Sequence, residues 1–188
     1  IVFQDLRPKR GTYIPVVLSL DEVGRLIMVN SNLKHKAILS TIYFGALRNG
    51  EACKLKVADI DSDRMQIFVK GAKGKKDRLV DLDESLLAVL REYVRIYRPK
   101  SWLFEGQYGK EYAQTSVRQI LIRSLKASAI RKNINVHSLR HSRATHWLEN
   151  GNDAVFIQRQ LGHAGLKTTL DYLKNARLPM KNPLLKVA

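Results

Sequence analysis

The stretch His137-Ser138-Leu139-Arg140 sets an imidazole and a guanidinium three residues apart. That spacing puts both on one face of a helix, where together they can hold an anion. Working back from Leu148 and Ala144, the apolar stripe reaches Arg140 or His141 and then His137, so the inward face of this helix turns polar at its N-terminal end. A guanidinium drawn inward needs a negative partner. Taken alone, so common a pair reads more readily as an arginine held by an internal carboxylate than as the site of a bound anion, and only its context changes that. Downstream, Leu161-Gly162-His163 places another imidazole directly after a glycine able to close a helix in the left-handed conformation. Nine residues beyond His163 stands Tyr172. Leu166, Leu170 and Leu173 make the buried stripe of that segment, and at about 100° per residue Tyr172 lies about 200° round from Leu170. Its phenol therefore points away from the core, as either a surface tyrosine or a nucleophile would.

The elements that must hold these groups can be read from period and punctuation. Ser19-Leu20-Asp21-Glu22 is a capping box that starts a helix running towards Val29. A second apolar period covers 34–47 and is expected to break at Asn49-Gly50, with a third, short helix from Glu51. The β-prone runs 65–70 and 77–82 flank the turn-rich segment Gly71-Ala72-Lys73-Gly74-Lys75-Lys76, which predicts an antiparallel hairpin with a strongly basic tip. An earlier strand is expected near 57–60. Helical patterns resume over 83–97 and 115–128, joined through Trp102, Leu103 and Phe104 as a buried connector, and continue over 136–149, 153–161 and 166–176. The last stretch, 177–188, holds Pro179 and Pro183 among Leu178, Met180, Leu184 and Leu185, so it cannot form one helix and is expected to dock as a tail.

Charge narrows the partner. Across 188 residues, 33 Lys and Arg against 17 Asp and Glu give a formal net charge of +16, while 45% apolar content suffices for a core. Such an excess implies a polyanion, nucleic acid ahead of an anionic membrane surface, because neutralising phosphates releases condensed counterions. Cys53 is the single cysteine, which excludes an internal disulfide framework, fits a reducing cytoplasm and reads as a small buried group. No run approaches the ~18 apolar residues of a membrane span, and no signal-peptide pattern is present. A soluble cytoplasmic protein is expected.

In order and spacing, His137-x-x-Arg140, then Leu161-Gly162-His163, then Tyr172 resemble the signature of tyrosine recombinases, close to Xer-type and mobile-element integrases. The likeness extends upstream. Phe44-Gly45-Ala46-Leu47-Arg48-Asn49-Gly50-Glu51 is similar to that family's first arginine motif, and 71–80 resembles its lysine hairpin. Two departures bear on backbone geometry: Ala46 stands where relatives often carry glycine, and Asp81 follows Val80 where a proline is usual. The resemblance implies an α+β, mainly helical fold with a small antiparallel β-sheet, the tyrosine recombinase catalytic-domain fold. It also implies the division of the chain. Residues 1–12 are expected to be a basic linker from a missing N-terminal core-binding domain, 13–176 the catalytic domain, and 177–188 a tail exchanged between protomers.

The family's chemistry transfers residue by residue. A phenol ordinarily loses its proton near pH ~10, so Tyr172 must be deprotonated as it attacks phosphorus, against the charge of the phosphodiester. Arg48 and Arg140 offer planar donors to the non-bridging oxygens of the transition state. The rival reading of Arg48 is a cation at a helix C-terminus with no phosphate role. By resemblance His137 is general base or phosphate donor, His163 a further phosphate donor, and Lys73 the acid that protonates the departing 5′ oxygen. Glu51, three residues after Arg48, would orient that guanidinium, or simply be a helix-surface carboxylate. Arg7, Lys9, Arg10, Lys75 and Lys76 are candidates for phosphate contact.

The implied reaction is site-specific DNA strand cleavage and rejoining through a 3′-phosphotyrosyl intermediate, without cofactor or metal. Asp59, Asp61 and Asp63 suggest a cation loop, but Arg64 occupies the position where such a loop needs glycine and Lys70 the position where it needs glutamate. Expected partners are double-stranded DNA and further copies of the chain, a tetramer across two sites, with a partner recombinase also admissible and no membrane. Two rivals stand beside this reading: DNA relaxation of the type IB topoisomerase kind, and a non-catalytic DNA-binding module.

Overall fold

The Ser19 hydroxyl accepts from the Glu22 N–H at 3.1 Å while the Glu22 carboxylate accepts from the Ser19 N–H at 2.7 Å, so the capping box read from sequence does start α1, Leu20–Met28. The structure, a computed structural model, describes residues 16–71 and 77–163. Next comes α2, Leu33–Phe44, in which every residue from Ala37 to Tyr43 is buried. A helix buried on every side over its C-terminal half must lie at a centre. Accordingly α1, α4 (Glu84–Tyr97), α5 (Gln114–Ala127) and α6 (Val136–Glu149) pack about it. The short α3 spans Asn49–Cys53, and α7 spans Ala154–Leu161.

The sheet is a three-stranded antiparallel meander of β1 (Ile60–Asp61), β2 (Gln66–Val69) and β3 (Arg78–Asp81), with Ile67 opposite Val80 and Val69 opposite Arg78. Side chains alternate between faces along a strand. Ile67, Val69 and Val80 are buried, whereas Leu79 faces outward. Arg78 shares the inward face with Val80. One large core joins α1 to α6 and the sheet, and a smaller cluster of Ala46, Ala144, Trp147, Leu148, Ile157 and Leu161 holds α7 against α6.

Four expectations need correcting. The second helix ends at Phe44 rather than 47, because Ala46 turns left-handed at φ 45°. Asn49-Gly50 opens α3 rather than breaking a helix, so that helix begins two residues before Glu51. Residues 57–59 form a 3-10 turn whose Asp59 accepts from the Lys56 N–H at 2.8 Å, and the strand follows at Ile60–Asp61. In the connector Leu103 and Phe104 are buried as expected, but Trp102 is only half-buried, with the Lys56 ammonium 5.5 Å from its ring centroid. Cys53 is a buried free thiol, as read. Asp61 accepts from the N–H groups of Asp63 and Arg64, tightening the acidic turn before β2. Among the described residues, no helix is long and apolar enough to cross a membrane.

Candidate active site

Two helix ends and one helix start build the site. At the end of α2 the Ala46 N–H donates to the Tyr43 carbonyl at 3.0 Å and the Leu47 N–H to the Ile42 carbonyl at 3.1 Å, a Schellman closure with alanine at the left-handed position. This reversal sends the chain out of the core within two residues. Arg48 is then the residue preceding α3, not a cation at the end of α2, which removes the helix-terminus reading of its charge. Glu51 reaches back one turn: its Oε2 accepts from the Arg48 N–H at 2.8 Å and its Oε1 from Arg48 Nη1 at 2.7 Å. Glu51 is thus a buried, fully engaged carboxylate and not a helix-surface one; its side chain is 9% exposed against 29% for that of Arg48.

Arg140, on the inner face of α6, is completely buried. Its Nη1 donates to the Ala46 carbonyl at 2.7 Å and its Nη2 to the Leu161 carbonyl at 2.6 Å. The left-handed turn after α2 and the end of α7 therefore clamp one guanidinium between them. Gly162 closes α7 at φ 61°, ψ 45°, as expected from sequence, and His163 follows with its Nε2 3.3 Å from Arg140 Nη2. Arginine only donates. Nε2 of His163 must be the acceptor, so its proton sits on Nδ1. His137, one turn before Arg140, lies exposed at the rim, its ring edge-on to His141 at 4.3 Å.

Sequence reasoning passed over Arg78. Its Nη1 and Nη2 donate to the two Glu51 oxygens at 3.0 and 2.8 Å, and its Nε donates to the Gln160 carbonyl at 3.0 Å. The signal was present as the alternation that turns 78, 80 and 82 inward, which would have marked an arginine where apolar residues belong. With Arg140 Nη1 3.7 Å from Glu51 Oε2, three guanidinium groups surround one carboxylate. Burial alone would raise the Glu51 carboxyl. The hydrogen bonds and charge of Arg78, followed by those of Arg48, overcome it and bring the group down to about 2. The excess positive charge acts on the histidines. Burial first, and then Arg140 and Arg48, lower His163 to about 4. The same causes lower His137, against a small opposing pull from Glu51. Both imidazoles are thereby held neutral around pH 7.

The described structure brings together Arg48, Glu51, His137, Arg140 and His163. A cavity of about 1150 Å³ opens beside them, lined by Arg48, Glu51 and His137 and by the further cations Lys54, Lys56, Lys70 and Arg118. A cluster of guanidiniums with neutral imidazoles at the mouth of a basic cavity can bind a phosphate and stabilise additional negative charge on it. Tyr172, Lys73, Lys75, Lys76, Arg7, Lys9 and Arg10 lie outside the described residues, as do the helix expected over 166–176 and the tail.

Comparison with known proteins gives a consistent picture. The family model described as the phage integrase family matches residues 17–178. The protein y4eF of Sinorhizobium fredii, named as an integrase/recombinase, is 43% identical over 170 residues, covering 90% of this chain and 68% of its own length. Tyrosine recombinase XerA of Pyrococcus horikoshii is 36% identical over 169 residues, covering 89% and 59%. The chain thus spans about three fifths to two thirds of these relatives. Among solved structures, the XerA recombinase superposes with a TM-score of 0.79 at 34% identity, over 85% of this chain and 60% of that one. XerH bound to a palindromic difH substrate in a post-cleavage complex gives 0.78 at 26%, over 88% and 51%.

Proposed function

This chain belongs to the phage integrase family, and from that premise we propose that it cleaves and rejoins DNA strands in site-specific recombination. The observation carrying the reading is the convergence of Arg48, Arg140, His137 and His163, from three separated segments, on one point beside a basic cavity.

In the proposed mechanism the scissile phosphate lies against Arg48 and Arg140, whose donors meet its non-bridging oxygens and gain strength as charge accumulates in the pentavalent transition state. The Tyr172 phenol attacks phosphorus, its oxygen forming the new P–O bond while the bond to the 5′ oxygen breaks. His137, neutral and at the rim, takes the phenolic proton. His163 donates a hydrogen bond to phosphate through Nδ1, the tautomer imposed by Arg140. Lys73 delivers a proton to the departing 5′ oxygen. Rejoining is the reverse, with the 5′ hydroxyl of another strand attacking the phosphotyrosine, so the energy of the broken bond is conserved. Residues 13–176 carry this chemistry, on double-stranded DNA, in a tetramer spanning two sites, with 177–188 passed to a neighbouring protomer. A heterologous recombinase in that assembly is compatible with the same chemistry.

The test separates nucleophile from acid. From a pool of nicked duplexes with randomised sequence, those captured covalently by the wild-type chain supply the substrate. Tyr172→Phe should form no adduct. Lys73→Ala should be slow on ordinary DNA yet recover when the bridging 5′ oxygen is replaced by sulfur, a leaving group that needs no proton. Arg140→Ala should stay impaired on both. A covalent adduct formed by Tyr172→Phe would remove the central claim, and failure of sulfur to rescue Lys73→Ala would move the acid role to Lys75 or Lys76. Relaxation of any supercoiled plasmid without exchange between sites would point to a topoisomerase, and binding without any adduct to a non-catalytic module.

A further inference from the structure

We propose that His141 is a positioning residue for the cleavage reaction: its ring holds the exposed imidazole of His137 in the orientation in which it takes the phenolic proton. This role rests on the recombinase reading above.

The two histidines stand four residues apart on α6, so they share one face of the helix. A helical side chain leans towards the N-terminus and covers the turn before its own Cα. His141 therefore reaches back over His137, and the two rings meet edge to face, with centroids 4.3 Å apart and planes at 81°. In that arrangement the positive rim of one ring meets the negative face of the other. The surroundings of the two rings differ. His137 is the second residue of α6, exposed where it lines the cavity, and among the described residues its ring makes no hydrogen bond. His141 is half-buried, one turn further into α6. The ring that its surroundings confine is thus set against the ring that they do not.

A proton acceptor needs to be confined. An imidazole turns about two side-chain bonds, and an exposed one has several staggered positions open to it. A general base acts only within hydrogen-bond reach of the proton it takes, about 2.6–3.2 Å between heavy atoms. A ring spread over several positions spends little of its time there. The charges around the pair fit the same role. Burial first, and then His137, Arg140 and His163, bring His141 down to about 4. His137 is lowered by burial, Arg140 and Arg48, against the pull of Glu51. Around pH 7 both rings are therefore neutral and can pack in contact, whereas an imidazolium at position 141 would weaken His137 as a proton acceptor.

The test uses duplexes selected by adduct formation with the wild-type chain, and follows the rate of adduct formation from pH 7 to 9. His141→Leu keeps most of the volume and removes the ring, whereas His141→Phe keeps a ring and removes the polar atoms. At pH 7 His141→Leu should be slower by about tenfold, close to the most that an aromatic pair contributes, and His141→Phe by less than about threefold. His137→Ala should lose about 10²-fold at pH 7. Both losses should shrink towards pH 9, where about a tenth of an ordinary phenol is ionised and needs no base. Because His141 acts through His137, the double variant His137→Ala with His141→Leu should be no slower than His137→Ala alone. If thermal melting shows His141→Leu unfolded, His141→Met, ringless and unbranched, takes its place. Equal loss in the Leu and Phe variants, a loss that does not change with pH, or a double variant in which the two losses multiply would each mean an ordinary packing residue and overturn the proposal. A His137→Ala protein as fast as wild type would remove the base, and with it this role, while leaving cleavage intact. Absence of adduct from the wild-type chain on every duplex would instead overturn the recombinase reading, and this role with it.

Discussion

All five histidines, His35, His137, His141, His146 and His163, are held below the ordinary imidazole value, in each case first by burial. For His141 and His163 the value falls to about 4, with neighbouring Arg140 and His137 adding to the effect of burial. In the unfolded chain the same groups bind protons near pH ~6.5. Between pH 6.5 and 4.5 the unfolded state therefore carries more protons than the folded one, and stability falls as the solution is acidified. Glu51 adds to the loss only below its unfolded range, as pH drops from about 4.5 towards 2. The melting temperature should accordingly decline from pH 6.5 to 4.5, and His141→Gln should decline less steeply. If wild type and variant share one slope, the loss comes from general repulsion in a strongly basic chain and not from this buried imidazole.

At the scale of elements, the informative segment is the end of α2. Ala46 is fully buried at φ 45°, in a conformation that costs an L-residue about 1–2 kcal/mol, and its carbonyl is one of the two that hold Arg140. Glycine would relieve that strain but lose a buried methyl worth about 0.8 kcal/mol and add freedom to the unfolded chain. These terms are of similar size and opposite sign. Ala46→Gly should thus melt within a few degrees of wild type, with adduct formation unchanged. Ala46→Val combines a β-branched left-handed residue with overpacking beside Ala144 and Trp147, and should be destabilised by about 2–4 kcal/mol in urea denaturation. An Ala46→Val protein as stable as wild type would contradict the backbone account of why α2 stops at Phe44. That stop matters for the site, because the reversal turns the Ala46 carbonyl onto Arg140 and makes Arg48 the residue that precedes α3.

For the whole molecule the formal charge of +16 is the governing quantity, and part of it is focused in the cavity beside the site, through Lys54, Lys56, Lys70 and Arg118. Each phosphate neutralised contributes about −0.9 to the slope of log affinity against log salt on duplex DNA. Binding to a duplex of fixed length should weaken steeply with salt. Changing Lys54, Lys56 and Arg118 together to Gln should reduce the slope by about 2–3 if all three meet phosphates. An unchanged slope would take the DNA path away from this cavity. The three side chains lie on the segment leaving α3 and on α5, outside the Arg48–Arg140–Glu51 cluster, so folding should survive their neutralisation.

The types and order of the site residues were legible without coordinates. Arg48, Glu51, His137, Arg140 and His163 stand in local motifs whose spacing is read directly along the chain, and the resemblance those motifs carry led to the family and the fold class. The capping box at Ser19, the alternation of β2 and β3 and the glycine closing α7 were also readable, because each is governed by residues a few positions apart. The end of α2 was not, since Ala46 and Leu47 are buried and continue the apolar period past the point where the backbone reverses. Least readable was which arginine meets which acceptor. Arg78 and Glu51 are 27 residues apart, Arg140 and the Ala46 carbonyl 94, and Arg140 and the Leu161 carbonyl 21. Sequence determined that Arg140 would turn inward and need a negative partner, because buried charge demands one, and left open whether Glu51 orients Arg48 or lies on a helix surface. Only the tertiary structure decided that Arg48 and Arg78 hydrogen-bond the carboxylate while Arg140, 3.7 Å from it, donates to the Ala46 and Leu161 carbonyls, since a carboxylate has a limited number of acceptor directions and the packing of β3, α6 and α7 sets which donors reach them.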